Sequence, residues 1–112
     1  MEADTVPVPG SLIYGSMKAA LIQLTRAMAK ELGDLGGIRV NAVRPCQVNT
    51  DLIRNLSKDA RKAVVEPVTK RMVFKRPIET SEVMNVVIFL SSRMSAMITG
   101  TSITIDGGHS LS

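Results

Sequence analysis

The chain has one cysteine, one histidine, no tryptophan and only three aromatic side chains, Tyr14, Phe74 and Phe89, among its 112 residues. A lone Cys46 cannot close an internal disulfide, which fits a reducing, intracellular and cytoplasmic setting, and it reads as a small buried hydrophobe. A lone His109, with no acidic or thiolate partners at ligand spacing, points to no metal site and reads as a solvated tail residue. With so few rings the interior must be built from Leu, Ile, Val, Ala and seven Met, an adaptable filler. Long apolar runs are also missing, so no membrane span is expected. Residues 1–12 carry Glu2, Asp4 and Pro and Gly breakers rather than an apolar segment, so no signal peptide is expected either. The densest basic stretch, Lys58, Arg61, Lys62, Lys70, Arg71, Lys75 and Arg76, lacks the interleaved aromatics of a single-strand nucleic-acid platform, so nucleic acid is not an expected partner. The net charge of +4 is modest and serves solubility.

What is present is enough apolar content, 45%, for one core and one domain over residues 1–112. Residues 1–11, with Pro7, Pro9 and Gly10, read as an extended arm or loop. Met17, Leu21, Leu24, Met28 and Leu32 recur at helical spacing over residues 12–32, and Gly15, Ala19, Ala20 and Ala27 leave a narrow face for close packing. Gly33, Gly36 and Gly37 are expected to stop that helix. A β-branched run at residues 38–43 reads as a buried strand ending before Arg44-Pro45, because proline cannot continue a central ladder. Residues 50–76 form a flap: a short helix at 50–56, then a weakly amphipathic one at 58–71 interrupted by Pro67. Thr80 or Ser81 caps a further helix whose Val83, Val86, Val87 and Leu90 face a core. Ser102-Ile103-Thr104-Ile105 alternates as a second strand before the turn Asp106-Gly107-Gly108. Alternating helices and strands of this kind belong to a parallel α/β sheet.

The chemistry-bearing signal is Tyr14-Gly15-Ser16-Met17-Lys18. A phenol and an ammonium four residues apart lie one turn apart on one helix face. A cation so placed favours the ionised phenol and makes it a usable proton donor or acceptor. Alone, a Tyr-x-x-x-Lys is common by chance and describes many ordinary helix surfaces.

Three stretches in order carry more. Tyr14-Gly15-Ser16-Met17-Lys18-Ala19-Ala20, then Ile38-Arg39-Val40-Asn41-Ala42-Val43-Arg44-Pro45, then Ile98-Thr99-Gly100-Thr101 with Ile105-Asp106-Gly107-Gly108, together resemble the C-terminal half of the short-chain dehydrogenase/reductase family, with a middle segment similar to the carbonyl and xylulose reductase subgroup. The resemblance implies an α/β fold, the C-terminal part of a Rossmann-like doubly wound parallel sheet in the order helix-strand-helix-helix-strand, truncated before the dinucleotide-binding strands. It implies that Tyr14 exchanges a proton with a carbonyl or alcohol oxygen and that Lys18 holds the nicotinamide ribose. Pro45, Val48 and Thr50 would meet the nicotinamide end of NADP or NAD, and Asn41 would be structural. A small carbonyl or alcohol substrate and a homo-oligomer, or association with a related reductase, are the implied partners. By the same resemblance Asp106-Gly107-Gly108 would contribute to a dimer contact.

The departures are specific. Cys46 stands where the family usually has Gly, which would crowd the cofactor's approach. No glycine-rich turn follows a strand and opens a helix, so the pyrophosphate cradle is lacking. Met1 stands where the resemblance would place the catalytic serine, and Thr5 and Ser11 are at the wrong distance to replace it. The chain alone is therefore expected to be poorly active or inactive. The competing expectation is a non-catalytic interaction module that uses the small-residue face of the first helix and an open sheet edge; a chain that barely folds is the third.

Overall fold

The computed structural model describes residues 10–111; the arm expected at residues 1–11 lies outside the described residues except for Gly10 and Ser11. Six regular elements follow in the order α1 (Leu12–Gly36), β1 (Ala42–Pro45), α2 (Asp51–Arg54), α3 (Lys58–Thr69), α4 (Thr80–Ser91) and β2 (Ser102–Ile105), with single 3-10 turns at Arg93–Ser95 and His109–Leu111. β1 and β2 pair in parallel with Ala42 opposite Ser102 and Pro45 opposite Ile105. This is the expected alternation, and the short helix expected at residues 50–56 is the one-turn α2.

α1 runs 25 residues, about 37 Å at the usual helical rise. Of the three glycines expected to stop it, Gly33 and Gly36 are helical, and Gly37 ends it with φ of 65°, a left-handed conformation open to glycine at no steric cost. The face of α1 that turns inward is built from small or short residues, with Gly15, Thr25 and Ala29 buried. Ala29 meets Gly100 so closely that a Cβ there would lie 3.4 Å from the Ala29 methyl.

The first strand begins and ends four and two residues later than its β-branched run suggested. Residues 38–41 do run beside the segment before β2, but side chains carry much of the bonding. Val40 donates its backbone N–H to Thr99 Oγ1 at 3.1 Å, and Asn41 bridges the backbone by donating to the Ile98 carbonyl at 2.9 Å and accepting from the Thr101 N–H at 3.2 Å. Arg39 spreads its guanidinium over the carbonyls of Leu90, Ser92 and Ile98 at 2.7–3.4 Å, closing the end of α4 against the strand's approach. Pro45 is tolerated in the ladder because Ala42 and Cys46 donate their N–H groups to the Thr101 and Ile105 carbonyls. By alternation the proline nitrogen faces the other edge, where no donor is needed.

α3 also runs through the proline expected to interrupt it. Pro67 falls in its last turn, where the missing N–H costs only the carbonyl four residues earlier its helix bond, and the Thr69 hydroxyl donates to the Val65 and Glu66 carbonyls at 3.1 and 3.3 Å. α4 is capped one residue earlier than Thr80 by Glu79, whose backbone N–H reaches the Glu82 carboxylate at 2.8 Å in a capping box. Its inward residues Val83, Val86 and Leu90 are part-buried, and Val87 lies at the rim.

The core is small. Cys46, Met72 and Ile78 are buried, with Val48, Val68, Val83 and Ile105 packed around them. It joins the end of β1, the end of α3, the start of α4 and the end of β2. α1 contributes little to it, and Met17, Leu21, Leu24 and Met28 stand exposed. The radius of gyration, 15.8 Å, exceeds the roughly 13 Å of a compact domain of this length for the same reason.

Candidate functional site

Tyr14 and Lys18 sit in the first turns of α1, where the i, i+4 spacing brings them together as the sequence implied. The Lys18 ammonium lies 5.3 Å from the Tyr14 ring centroid, resting over the ring face. Such a cation–π contact at an exposed position is worth about 0.5–1 kcal/mol and holds the two side chains in one orientation. Tyr14 is 46% exposed, so its side chain is not committed to the core. Ser11 precedes the pair as the residue before the helix, and its carbonyl accepts the Gly15 N–H at 2.7 Å. Met1 and Thr5 lie outside the described residues.

Pro45 ends β1, Val48 and Thr50 follow it in the segment before α2, and that segment is firmly pinned. Val48 bridges Ile78 in parallel, Asn49 donates its N–H to the Ile78 carbonyl at 2.8 Å, and Ile78 returns one to Gln47 at 2.9 Å. Asn49 Nδ2 reaches Glu79 Oε1 at 3.0 Å. Thr50 begins α2 with extended backbone angles and makes no side-chain bond to cap it, which leaves its hydroxyl for other use. These ties run to the start of α4, not to α1. The two halves of the sequence-derived site thus stand on different supports.

Cys46 is 6% exposed inside the core with Met72 and Ile78, as a small hydrophobe should be. Lys75 alone among the described non-glycine residues has positive φ, so the backbone at Cys46 does not demand glycine. Its thiol packs inward instead of standing at the loop surface.

His109 corrects the sequence reading: it is buried, with 8% exposure, not a solvated tail residue. The Asp106 carboxylate is responsible. It accepts from the Gly108 N–H at 2.9 Å, the Ser110 N–H at 2.8 Å and the Ser110 hydroxyl at 2.6 Å, winding the end of the chain into the 3-10 turn that carries His109 inward. The Gly107 carbonyl accepts from Val73 at 2.8 Å and Phe74 at 3.3 Å, so Asp106-Gly107-Gly108 clasps the end of the flap. Sequence reasoning missed this clasp. The signal was there in an Asp followed by two glycines, but its target lies 33 residues away in the chain.

The electrostatic feature of note is Arg76 with Glu82. Arg76 forks onto both carboxylate oxygens at 2.7 and 2.8 Å. This bond, followed by the Glu79 backbone N–H, holds the Glu82 carboxyl down at about 2, and Glu82 holds the Arg76 guanidinium above its usual range. A cleft of about 150 Å³ lies beside the pair, lined by Phe74, Ile78, Ile105 and Gly107. A second, open cleft of about 470 Å³ runs along Ala29, Gly33, Thr99 and Gly100. Neither is lined by Tyr14, Lys18 or Thr50. Among the described residues no three His, Cys, Asp or Glu side chains gather as metal ligands, and no helix is long and apolar enough to cross a membrane.

As a donor set, Lys18, Tyr14 and Thr50 fit the ribose and nicotinamide end of a dinucleotide: an ammonium for a diol and hydroxyls for oxygens and amide groups. The pyrophosphate end has no counterpart among the described residues, where each positive-φ glycine lies before α1, after it, or in the turns flanking β2.

Comparison with known proteins agrees with this fold. The family described as enoyl-(acyl carrier protein) reductase matches residues 1–110. L-xylulose reductase of Caenorhabditis elegans is 41% identical over 109 residues, covering 97% of this chain and 42% of that protein. The pig (Sus scrofa) protein named carbonyl reductase [NADPH] 2 is 38% identical over 104 residues, covering 93% and 41%. In structure, 4-hydroxyisoleucine dehydrogenase complexed with NADH superposes with a TM-score of 0.85 at 27% identity, covering 98% of this chain and 44% of that one. The chain thus spans somewhat over two-fifths of the length of the relatives it matches. Its helices and parallel strands correspond to the C-terminal part of their Rossmann-like fold.

Proposed function

We propose, on the premise that this chain belongs to the short-chain dehydrogenase/reductase family, that it carries the tyrosine-lysine half of an NAD(P)-dependent oxidoreductase site for small carbonyl or alcohol substrates. The observation that carries the reading is the ordered pair on α1, with Lys18 held 5.3 Å from the ring of a half-exposed Tyr14. Tyr14 gives a proton to a carbonyl oxygen on reduction, or takes one from an alcohol on oxidation. Lys18 donates hydrogen bonds to the ribose hydroxyls and orients the cofactor. Thr50, at the head of α2, and the backbone between Pro45 and Val48 receive the nicotinamide end. A bound nicotinamide supplies the hydride chemistry. The names of the two relatives, a xylulose reductase and a carbonyl reductase, support a small carbonyl compound as substrate.

The 112 residues acting alone are poorly active in this reading. Among the described residues there is no helix-opening glycine turn for the pyrophosphate and no serine placed beside Tyr14 to polarise the carbonyl, an electrostatic contribution of order 10²-fold or more in rate. The single domain, the flap at residues 50–76 and the intracellular, cytoplasmic setting belong to the same proposal, the last supported by one buried cysteine. Fluorescence titration of NADPH and NADH tests it, with Lys18→Ala as control. Saturable binding lost in that variant supports a surviving cofactor site. Absence of binding up to millimolar cofactor by a folded chain removes the enzymatic reading.

The second reading, an interaction module that associates with itself or with a related reductase, is favoured by a different observation. Of the small residues on α1, Gly15 is buried and Ala29 meets Gly100, while Ala19, Ala20 and Ala27 are exposed, and Met17, Leu21, Leu24 and Met28 form an exposed stripe at alternating spacings of four and three, the seam of a helix-helix contact. Tyr14→Phe separates the two readings, since it removes turnover and leaves association intact. Sedimentation equilibrium reads the association.

A further inference from the structure

The larger cleft, between the second half of α1 and the turn before β2, has walls fixed by bonds of the fold itself. On one side Arg26, Lys30, Gly33 and Asp34 line it from neighbouring positions of one helix face. On the other stands Thr99-Gly100, tied to the approach of β1: Val40 donates its N–H to Thr99 Oγ1 at 3.1 Å, and Gly100 donates to the Val40 carbonyl at 2.8 Å. Ala29 closes the floor, where a Cβ on Gly100 would lie 3.4 Å from its methyl. The space of about 470 Å³ lies in the usual range for small-ligand sites. Its donors lack acceptors. The helix neighbours of Arg26 at three and four positions are Ile22, Gln23, Ala29 and Lys30, none of them acidic, and among the described residues Arg26 has no hydrogen bond or ion pair. Lys30 repels it from one turn away and is itself relieved by Asp34 at 2.7 Å. The Thr99 oxygen accepts from Val40, and its O–H meets no acceptor among the described residues. Two cations against one carboxylate leave the cleft a net positive charge, and Asp34 stands two turns from Arg26, about 12 Å along the helix.

We propose that this cleft binds a phosphate monoester, with the Arg26 guanidinium and the Thr99 hydroxyl donating to the phosphate oxygens and Lys30 adding the second positive charge. A phosphate presents three strong acceptor oxygens, and the planar fork of an arginine engages two of them at once. Ala29 and the bare backbone of Gly33 and Gly100 leave room beside the phosphate for a small organic body. Arg26 lies about 18 Å along α1 from Tyr14, so the site is separate from the tyrosine-lysine pair and stands whether or not that pair is catalytic.

A nuclear magnetic resonance titration of the 112-residue chain with glycerol phosphate tests it, with glycerol as the neutral control. The backbone signals of Gly33, Thr99 and Gly100 should shift saturably with the phosphate and stay in place with glycerol. Arg26→Gln should weaken binding about tenfold or more, the size expected for a lost charged hydrogen bond. Lys62→Gln removes an equal charge from an exposed position on α3 and should leave the affinity unchanged. Arg26 is exposed, so its variant keeps the fold, which unchanged signals from β1 and β2 verify. No shift of the three signals at millimolar glycerol phosphate, or equal shifts with glycerol, overturns the proposal. So does equal weakening in Arg26→Gln and Lys62→Gln, the mark of diffuse attraction to a basic surface.

Discussion

The strand region and the first half of α1 are built on opposite terms. From residue 39 to the clasp at Gly107 the chain is stitched by bonds between residues more than 50 positions apart: Arg39 to Leu90, Asn41 to Ile98 and Thr101, Val40 to Thr99. α1 has 25 residues and a full apolar stripe, yet docks chiefly through short side chains near Ala29 and leaves Met17, Leu21 and Leu24 in the open. The difference separates what folds this chain from what the proposed chemistry needs. The cofactor loop stands on the stitched region, and Tyr14 and Lys18 stand on the loosely docked helix. Stability and site should therefore respond to different substitutions.

The largest effect is expected at the core. Met72→Ala opens a cavity among Cys46, Ile78 and Val68 and should cost about 2–5 kcal/mol in urea unfolding, enough to leave a small domain mostly unfolded. Leu24→Ser on the open stripe should stay within about 0.5 kcal/mol for the monomer. Equal costs at the two positions would erase the contrast. Gly108→Ala comes next. At φ of 82° an added Cβ would lie 2.5 Å from Val73 Cγ2 and 2.9 Å from its Cβ, so both backbone and neighbour resist. A loss of about 1–3 kcal/mol is expected, with Val73 and Phe74 losing exchange protection first. Asn41→Ala leaves the Ile98 carbonyl and Thr101 N–H without their bridge and should cost about 1–2 kcal/mol, where Tyr14→Phe costs nothing measurable in the same assay.

Element type was legible in the sequence because it rests on local pattern: the stripe of α1, the alternation of Ser102–Ile105 and the apolar spacing of α4 each appear where their periodicity placed them. Boundaries were not, because they are settled by partners far along the chain. β1 slides to Ala42–Pro45 since Asn41 and Thr99 replace ladder bonds before it, and α3 runs through Pro67 because the proline falls in its last turn, where it removes a single helix bond. The site divides likewise. Tyr14 and Lys18 meet because they are one turn apart, a local fact. The ties of Asn49 to Glu79 and of Gly107 to Val73 join residues 30 or more positions apart and have no periodic signature. Burial of His109 follows from local bonds of the Asp106 carboxylate to Gly108 and Ser110, which have no periodic signature either.

The smallest expected effect isolates the α4 cap from both regions. Glu82 has its carboxyl held down at about 2 by the Arg76 fork and the Glu79 N–H, against an ordinary value near 4.5. A depressed carboxyl stabilises the folded state above its unfolded value and loses that stabilisation as pH falls toward the folded value. The contribution is thus whole above about pH 4.5 and fades between there and about 2. Glu82→Gln should lower the thermal midpoint at pH 7 by a small amount, and the gap from the unaltered chain should narrow steadily as pH is lowered through that window. Lys30→Gln, which breaks the exposed pair with Asp34 at 2.7 Å on α1, should leave the thermal midpoint at pH 7 almost unchanged, since both side chains there are mostly in solvent. A gap at Glu82 that stays constant down to pH 2 would mean that the carboxylate acts by shape rather than charge, and that the cap belongs with the packed core.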